Sequence, residues 1–422
     1  MFSFNKINNF FLIFFTVFIF RSSLILFSLS DFPWFYEWEG MVFLYKIKAN
    51  NLTSFFEYEL KTQFLFYTKT FYIILFKLFN NVWYPKLFTA FMQIVPSFYI
   101  SIITYCLFKS VEIKSKIIFF IIIFNFLTIG SLANFYHFSE THFYFQLLIF
   151  IALLYMYCEK RNNDLSYAFI LILLTSSLNM ELAGLLIPFS FIFLNFYEKF
   201  FLKENLNFKL ILICIFYITI VIFVINFLNL PVLNDGSQVI EKKNMRSIYI
   251  FFKGFFHQSA LIPGFVMICY LIFILKDNSK QSLKKIKNNK FLIGLIIFLG
   301  FNILSIALNR VQIYDRYRDS LQIGCFISVF LINEIYFKKN IYTHILVLLF
   351  LILSIFNFSR IVDKSLTQRS TSLKYDNIIH EYLNNQNTNK SLKNVTLGEL
   401  YRHENKIKIS IENKIISIPE KF

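Results

Sequence analysis

The stretch FKLILICIFYITIVIFVINFLN, residues 208–229, has one charged side chain, Lys209, in a run that is otherwise mostly aliphatic and aromatic. A helix needs about 20 predominantly apolar residues to cross the hydrocarbon core of a bilayer. This stretch therefore predicts a membrane-spanning helix. Comparable runs recur along nearly the whole chain, whose 422 residues are 57% hydrophobic and 20% aromatic with a mean hydropathy of +0.57. Such a composition is not that of a soluble globular domain.

The expected fold is an all-α membrane protein, a polytopic bundle of about 11 transmembrane helices by the length rule. The predicted spans are residues 7–29, 82–108, 117–136, 142–158, 165–180, 182–197, 208–229, 260–275, 291–309, 319–337 and 341–358. The first run is long and lacks a small-residue cleavage pattern, so it is interpreted as a retained span. Residues 1–358 form the predicted transmembrane domain, and residues 359–422 form a small polar tail. The tail has a helical pattern near 375–385 and an alternating stretch at 406–411 that predicts a strand pair.

The distribution of positive charge predicts the sidedness of the chain. The net charge is +17, but the lysines lie mostly between apolar runs, which makes nucleic acid an unexpected partner. With the N-terminus in the cytoplasm, the cytoplasmic loops contain Lys109, Lys114, Lys116, Lys160, Arg161, Lys199, Lys203, Lys209, the cluster at 276–290, Lys338 and Lys339. The positive-inside rule then predicts a protein of the cytoplasmic (inner) membrane with an extracytoplasmic tail. The five cysteines fall in predicted helices without a CxxC spacing and are interpreted as small core residues.

Residues 31–81 form the first outer loop, where aromatic and charged residues alternate. This pattern predicts one to three helices lying in the membrane interface. Asp31, Glu37 and Glu39 open the loop at the mouth of the expected cavity. A carboxylate there can accept a proton from an acceptor hydroxyl, or help to hold a divalent cation such as Mg²⁺ or Mn²⁺. The alternative interpretation is a solvated loop with aromatic anchors.

Two further clusters lie at predicted outer helix ends. Glu140 lies between His137 and His142, where it is a candidate for positioning an acceptor or a metal ion; capping and solvation of the helix ends is the alternative. Arg310, Arg316 and Arg318 precede the span at 319–337, and an arginine there offers a fork of donors for a phosphate oxygen. An Arg–Asp network that solvates the helix end is the alternative. Three outer arginines run against the positive-inside rule, which favours the phosphate site.

The order of these features resembles the GT-C superfamily of polyprenyl-phosphate-dependent glycosyltransferases, which includes protein O-mannosyltransferases and the aminoarabinose transferases of lipid A. The family has one span, an acidic pair in the first outer loop, interfacial helices and a late arginine element. Here Glu37-Trp38-Glu39 is similar to the acidic pair, with an indole between the acids. Residues 63–80 and 85–90 are similar in place to the next two family elements, and Asp315-Arg316-Tyr317 looks like the late one. The resemblance covers residues 7–360.

The resemblance implies an integral-membrane glycosyltransferase, a hexosyl- or pentosyltransferase that acts by a single displacement. A polyprenyl-phosphate sugar is the implied donor, and a glycan, a lipid or a protein is the implied acceptor. Membrane lipids are the other expected partners. Arg316 or Arg318 is expected to hold the donor phosphate, and Glu39, ahead of Glu37 and Asp31, is expected to be the base. Glu140 is expected to position the acceptor or a metal. The implied transfer inverts the anomeric carbon and builds a glycan of the cell envelope.

Two other functions fit parts of the same pattern. A lipid-linked polysaccharide polymerase or ligase would use arginines of a late outer loop, for which Lys242, Lys243 and Arg246 are further candidates beside Arg316 and Arg318. A lipid flippase or secondary transporter would need internal symmetry and polar residues at mid-membrane. The charges of this chain gather instead at predicted helix ends, and its largest outer loop between spans is acidic and aromatic. These observations favour the transferase.

Overall fold

The computed structural model describes residues 6–32, 37–50, 66–84, 142–158, 182–227, 286–309, 341–384 and 412–416, with isolated positions at 86, 87, 90, 91, 94, 97, 98, 101, 127, 284, 327, 328, 407, 409 and 410. Eight helices within these ranges are numbered here in chain order. They are α1 (Lys6–Phe27), α2 (Glu37–Asn50), α3 (Phe66–Leu78), α4 (His142–Cys158), α5 (Leu182–Tyr197), α6 (Phe208–Phe227), α7 (Lys290–Asn309) and α8 (Ile341–Asn384).

The described part of the chain is helical, as the hydrophobic pattern predicts. Helices α4 and α5 have the bounds of the predicted spans 142–158 and 182–197, and α6 and α7 differ from theirs by one or two residues. The stretch Leu185–Leu202 is the one helical stretch among the described residues that is both long enough and apolar enough to cross a membrane. Shorter apolar helical stretches are Leu12–Phe27, Ile149–Cys158, Phe208–Ile220 and Lys290–Asn302.

Helices α4, α5 and α7 pack closely together, and α6 packs against α5. The rings of Phe150 in α4 and Phe298 in α7 stack with centroids 4.1 Å apart, and Phe191 of α5 approaches Phe150 at 5.8 Å. All three side chains are buried. This aromatic contact is the centre of the packing among the three helices.

Gly294 in α7 permits the close approach of the neighbouring helices. A Cβ atom at this position would lie 2.6 Å from Leu154 Cδ1 and 3.2 Å from Leu194 Cδ2. Gly300 is on the same helix, and a Cβ atom there would meet nothing within 4 Å. Small residues at helix contacts allow backbones to approach closely, which is a common device between helices in membranes.

Replacing Gly294 with alanine is therefore expected to be less favourable than the same change at Gly300 by about 1–3 kcal/mol, the usual cost of overpacking. Gly300→Ala is the matched control, because it adds the same methyl group to the same helix in open space. Its expected effect is a gain of up to about 1 kcal/mol from helix propensity. Thermal unfolding of both purified variants measures the difference, and equal melting temperatures would show that the packing at Gly294 is looser than described.

A buried charge network closes the connection between α5 and α6. After α5 the chain forms a π-helical turn, Glu198–Leu202, and Lys203 then adopts a left-handed conformation with φ 57°. Lys290 Nζ lies 3.1 Å from Glu198 Oε1 and 2.5 Å from Glu204 Oε2. The Tyr157 hydroxyl donates a hydrogen bond to Glu198 Oε2 at 2.5 Å. Glu198 is only 3% exposed, so one buried carboxylate joins α4, α5 and α7.

The C-terminal region packs against the first loop. Helix α8 contacts α1, and α2 contacts α3. Trp83 is buried, and its backbone N–H donates to the carbonyl of Ile415 at 2.7 Å. The ammonium group of Lys48 in α2 lies 3.4 Å from the carbonyl oxygen of Lys414. Helix α1, Lys48 and Trp83 therefore contact segments that lie far away in the sequence, near its C-terminal end.

The strand pair predicted at 406–411 is wrong at the positions that the structure describes. Residues 407, 409 and 410 are helical, as is residue 412. Ile407 and Ser410 are both buried, and their separation of three residues suits one face of a helix. The strand-like pairing seen in the described residues is an isolated parallel bridge between Trp83 and Ile416.

Candidate active site at the first loop

Asp31, the first carboxylate of the loop, is held through both its backbone and its side chain. Its backbone N–H donates to Asp376 Oδ2 at 3.0 Å. Its own Oδ1 lies 3.0 Å from Lys86 Nζ. The Lys86 side chain is 68% exposed, so this ion pair contributes little to stability. Asp31 is thus a partly exposed carboxylate in a defined position at the end of α1.

Glu37 and Glu39 lie in the first turn of α2. Helical geometry separates positions 37 and 39 by about 200° around the helix axis, since each residue turns the chain by about 100°. Residues two apart on a helix do not share a face. Positions 37 and 39 therefore lie on different faces of α2.

The remaining predicted site residues lie largely outside the described part of the chain. His142 is the first residue of α4, and the structure describes its backbone only. Glu140 and His137, together with Arg310, Arg316 and Arg318, fall outside the described residues. The convergence of these side chains with the first-loop acids stays a prediction.

A set of polar contacts connects the end of α1 to one face of α8, and is called here the α1–α8 seam. Its members on α8 are spaced by three, four and four residues, which keeps them on one helix face. Successive turns of α8 contact successive residues at the end of α1. The contacts are Arg369 Nη1 to the Phe27 carbonyl (3.3 Å), Ser372 Oγ to the Ser28 carbonyl (2.8 Å), Asp376 to Ser30 Oγ (2.6 Å) and the Asp31 N–H (3.0 Å), and the His380 ring to the Phe32 ring (4.9 Å between centroids).

The seam satisfies backbone groups that a helix leaves without intrahelical partners. The last carbonyls of an α-helix have no N–H of their own to accept from. Arg369 and Ser372 donate to two carbonyls at the end of α1. The Arg369 guanidinium also lies over the Phe27 ring, 4.4 Å from its centroid. These two contacts therefore stabilise the end of α1 against α8.

Asp376 is the most buried charged group of the seam, with 7% of its surface exposed. Burial raises its pKa to about 6 from an ordinary value of 3.8, although the hydrogen bonds from Ser30 Oγ and the Asp31 N–H lower it, and the nearby charge of Asp31 raises it further. Such a carboxylate accepts two hydrogen bonds near neutral pH and becomes protonated in mildly acidic solution.

The raised pKa of Asp376 gives a pH dependence of stability with a definite sign. The folded protein binds this proton more tightly than the unfolded chain does. Protonation of Asp376 therefore adds to the free energy of unfolding below about pH 4, and this stabilisation is lost as the pH rises through about 6. Asp376→Asn carries no titrating group. We therefore expect its melting temperature to rise relative to wild type as the pH increases from about 4 to about 6, and the difference to stay constant above that range.

Glu381→Gln, at an exposed position of the same helix, is the control for this measurement. The variants all retain Asp31 and Lys86 and the seam residues Arg369 and His380, so the comparison measures the effect of the substituted carboxylate. A melting difference between Asp376→Asn and wild type that does not change with pH would contradict the assignment of the titration to Asp376.

The sequence interpretation missed Asp376 and the buried arginine of α1. Arg21 is fully buried in a predicted span, and its Nη1 donates to the carbonyl of Leu127 at 3.4 Å. A charged residue inside an apolar run is itself a signal, because such residues face the interior of a helix bundle. Asp376 had a weaker signal, the polar stripe of Arg369, Ser372 and Asp376 along one face of a long helix.

The described side chains do not by themselves form a metal centre. No group of three or more histidine, cysteine, aspartate or glutamate side chains suited to a metal ion occurs in the described part of the chain. The cation beside Asp31 is the ammonium group of Lys86, and the other predicted oxygen ligands lie among side chains that the structure does not describe.

Comparison with known proteins adds no relative. No protein-family model, curated protein or solved structure matches the chain.

Proposed function

We propose that the chain is a polytopic membrane glycosyltransferase that moves a sugar from a polyprenyl-phosphate donor to an acceptor at the extracytoplasmic face. The observation that carries the proposal is the acidic segment beginning at Asp31, whose start is fixed by α8 and by Lys86. Rigid support of a first-loop carboxylate is what general base catalysis requires, since the base must lie within hydrogen-bond reach of the proton that it removes.

The contacts between segments support the proposed membrane sidedness, because segments that contact each other are expected on the same side. The end of α1 contacts residues 369–380, and the first loop contacts residues 413–416, all of which are expected outside. At the other set of loops, the Tyr157, Glu198, Glu204 and Lys290 network joins segments that are all expected in the cytoplasm. The proposed location is the cytoplasmic membrane, with the N-terminus inside and the tail outside.

In the proposed reaction the donor enters laterally from the outer leaflet. Arg316 or Arg318 holds its phosphate through charge-assisted hydrogen bonds. A first-loop carboxylate, Glu39 ahead of Glu37 and Asp31, removes the proton of the acceptor hydroxyl. The hydroxyl oxygen attacks the anomeric carbon, and the bond from that carbon to the phosphate oxygen breaks with its electron pair remaining on polyprenyl phosphate. This single displacement inverts the anomeric centre.

The experiment that tests the function uses the purified full-length protein in proteoliposomes with sugar-labelled polyprenyl-phosphate donors. The expected result is time-dependent release of free polyprenyl phosphate and appearance of the label in an acceptor. Empty liposomes give the background. Movement of the intact donor across the bilayer without release of polyprenyl phosphate would contradict the proposal and indicate a flippase. Linkage of preassembled lipid-bound glycans without use of a single-sugar donor would indicate a polymerase or ligase.

A further inference from the structure

The seam contains one contact that reaches the proposed site itself. Arg369 and Ser372 bind carbonyls of the α1 end, before the acidic segment starts. Asp376 instead binds two consecutive residues at its start, accepting hydrogen bonds from Ser30 Oγ at 2.6 Å and from the Asp31 N–H at 3.0 Å. Ser30 is completely buried, so its hydroxyl is held in a fixed surrounding.

The same hydrogen-bond pattern organises the turn after α1. Ser30 Oγ, while donating to Asp376, accepts the N–H of Phe32 at 3.3 Å. Phe32 is 1% exposed, and its ring packs edge-on against His380, one turn beyond Asp376 on α8. Three consecutive residues, 30 to 32, are thus tied directly or through one hydroxyl to the Asp376 carboxylate. This carboxylate therefore fixes the backbone of the turn that follows α1.

We propose that Asp376 is a positioning residue for Asp31, the first carboxylate of the first loop, so that helix α8 takes part in assembling the active site. The inference rests on the proposed glycosyltransferase function. Asp376 acts on the reaction through the backbone of Asp31, and Lys86 sets the side chain of Asp31 by its ion pair at 3.0 Å. Because rate depends steeply on the placement of reacting groups, a displacement of about 1 Å at the start of the loop is enough to cost up to about 100-fold.

Three variants separate positioning from general stability. Asp376→Ala removes both acceptors. Asp376→Asn keeps an acceptor for the Asp31 N–H, while its amide can donate to the Ser30 hydroxyl oxygen, so it preserves the connections without the charge. Ser372→Ala is the matched control, because it deletes one seam hydrogen bond a single turn away without touching Ser30 or Asp31.

The measurements are kcat and donor KM for sugar transfer, the melting temperature, and amide hydrogen exchange of the peptide that contains Asp31. We expect Asp376→Ala to lower kcat by about 10- to 100-fold with little change in donor KM, and to speed exchange at Asp31. Asp376→Asn is expected to restore most of kcat and of the exchange protection. Ser372→Ala is expected to leave kcat at the wild-type value.

Equal losses of kcat in Asp376→Ala and Ser372→Ala, or none in Asp376→Ala, would overturn the inference. If Asp376→Ala does not fold, Asp376→Glu replaces it, because this change keeps the charge and moves the carboxylate by one methylene group. Unchanged kcat in Asp376→Glu together with unchanged exchange at Asp31 would then overturn it. Absence of transfer by the wild-type protein refutes the proposed function instead, and exchange at Asp31 still reports whether Asp376 orders the loop.

Discussion

Glu39→Gln is expected to reduce sugar transfer by about 10²- to 10⁴-fold, the usual contribution of a positioned general base. Glutamine has nearly the same size and shape but cannot accept a proton at neutral pH. The loss should appear in kcat, because the carboxylate acts on the acceptor proton in the transition state and not on the donor phosphate. Release of polyprenyl phosphate from labelled donor by the purified variant measures it.

Glu37→Gln and Glu381→Gln are the comparisons that give this result its meaning. Positions 37 and 39 lie about 200° apart around α2, so a large loss is expected from one of the two changes and a much smaller one from the other. Glu381 is exposed on α8, and its replacement should leave transfer unchanged. Full activity in both first-loop variants would remove the base from this loop, and a large loss in Glu381→Gln would indicate a non-specific effect.

Lys290→Met is expected to lower the free energy of unfolding by about 3–5 kcal/mol, because it leaves the buried charge of Glu198 without its cation. Lys290 Nζ lies 3.1 Å from Glu198 Oε1, and Glu198 is 3% exposed. Burial by itself lowers the pKa of Lys290, but the hydrogen bonds and charges of Glu204 and Glu198 outweigh it and leave the pKa above its ordinary value. The ammonium group therefore stays charged at neutral pH.

Two further variants test whether the stability loss comes from the unpaired carboxylate. Lys287→Met changes an exposed lysine one turn earlier and should alter stability by no more than about 0.5 kcal/mol. The double variant Glu198→Gln with Lys290→Met removes the buried charge while the Tyr157 hydroxyl keeps an oxygen acceptor, so most of the loss should be recovered. Unfolding of purified protein in detergent measures all three. Equal stability of Lys290→Met and Lys287→Met would contradict the network.

The helix positions followed from hydrophobicity where the helix is apolar. Residues 142–158 and 182–197 were predicted with the bounds that the structure has, since continuous apolar runs and charged flanks delimit both. The sequence predicts a span that ends at 358 and a separate helical pattern near 375–385, whereas α8 is one continuous helix to Asn384. Hydropathy detects only the apolar part of such a helix. Its polar half is held by contacts with α1, which depend on residues more than three hundred positions away.

In the tail and in the candidate site, too, local sequence predicts some features, while others depend on contacts with distant residues. Alternating isoleucines at 407, 409 and 411 favour a strand by period, but tertiary packing of Ile407 and Ser410 gives helix instead at the described positions. Asp31 was identified as a candidate from its residue type and place in the first loop. Its partners Lys86 and Asp376 were not, because no local pattern links residue 31 to residue 376.

The most direct test is a cryo-EM structure of the full-length protein with a polyprenyl-phosphate sugar bound. The predicted complex has the donor phosphate within hydrogen-bond distance of Arg316 or Arg318, and its anomeric carbon facing a cavity that also contains a first-loop carboxylate. Donor phosphate bound elsewhere, with the acids and these arginines at opposite ends of the helices, would contradict the proposed glycosyltransferase.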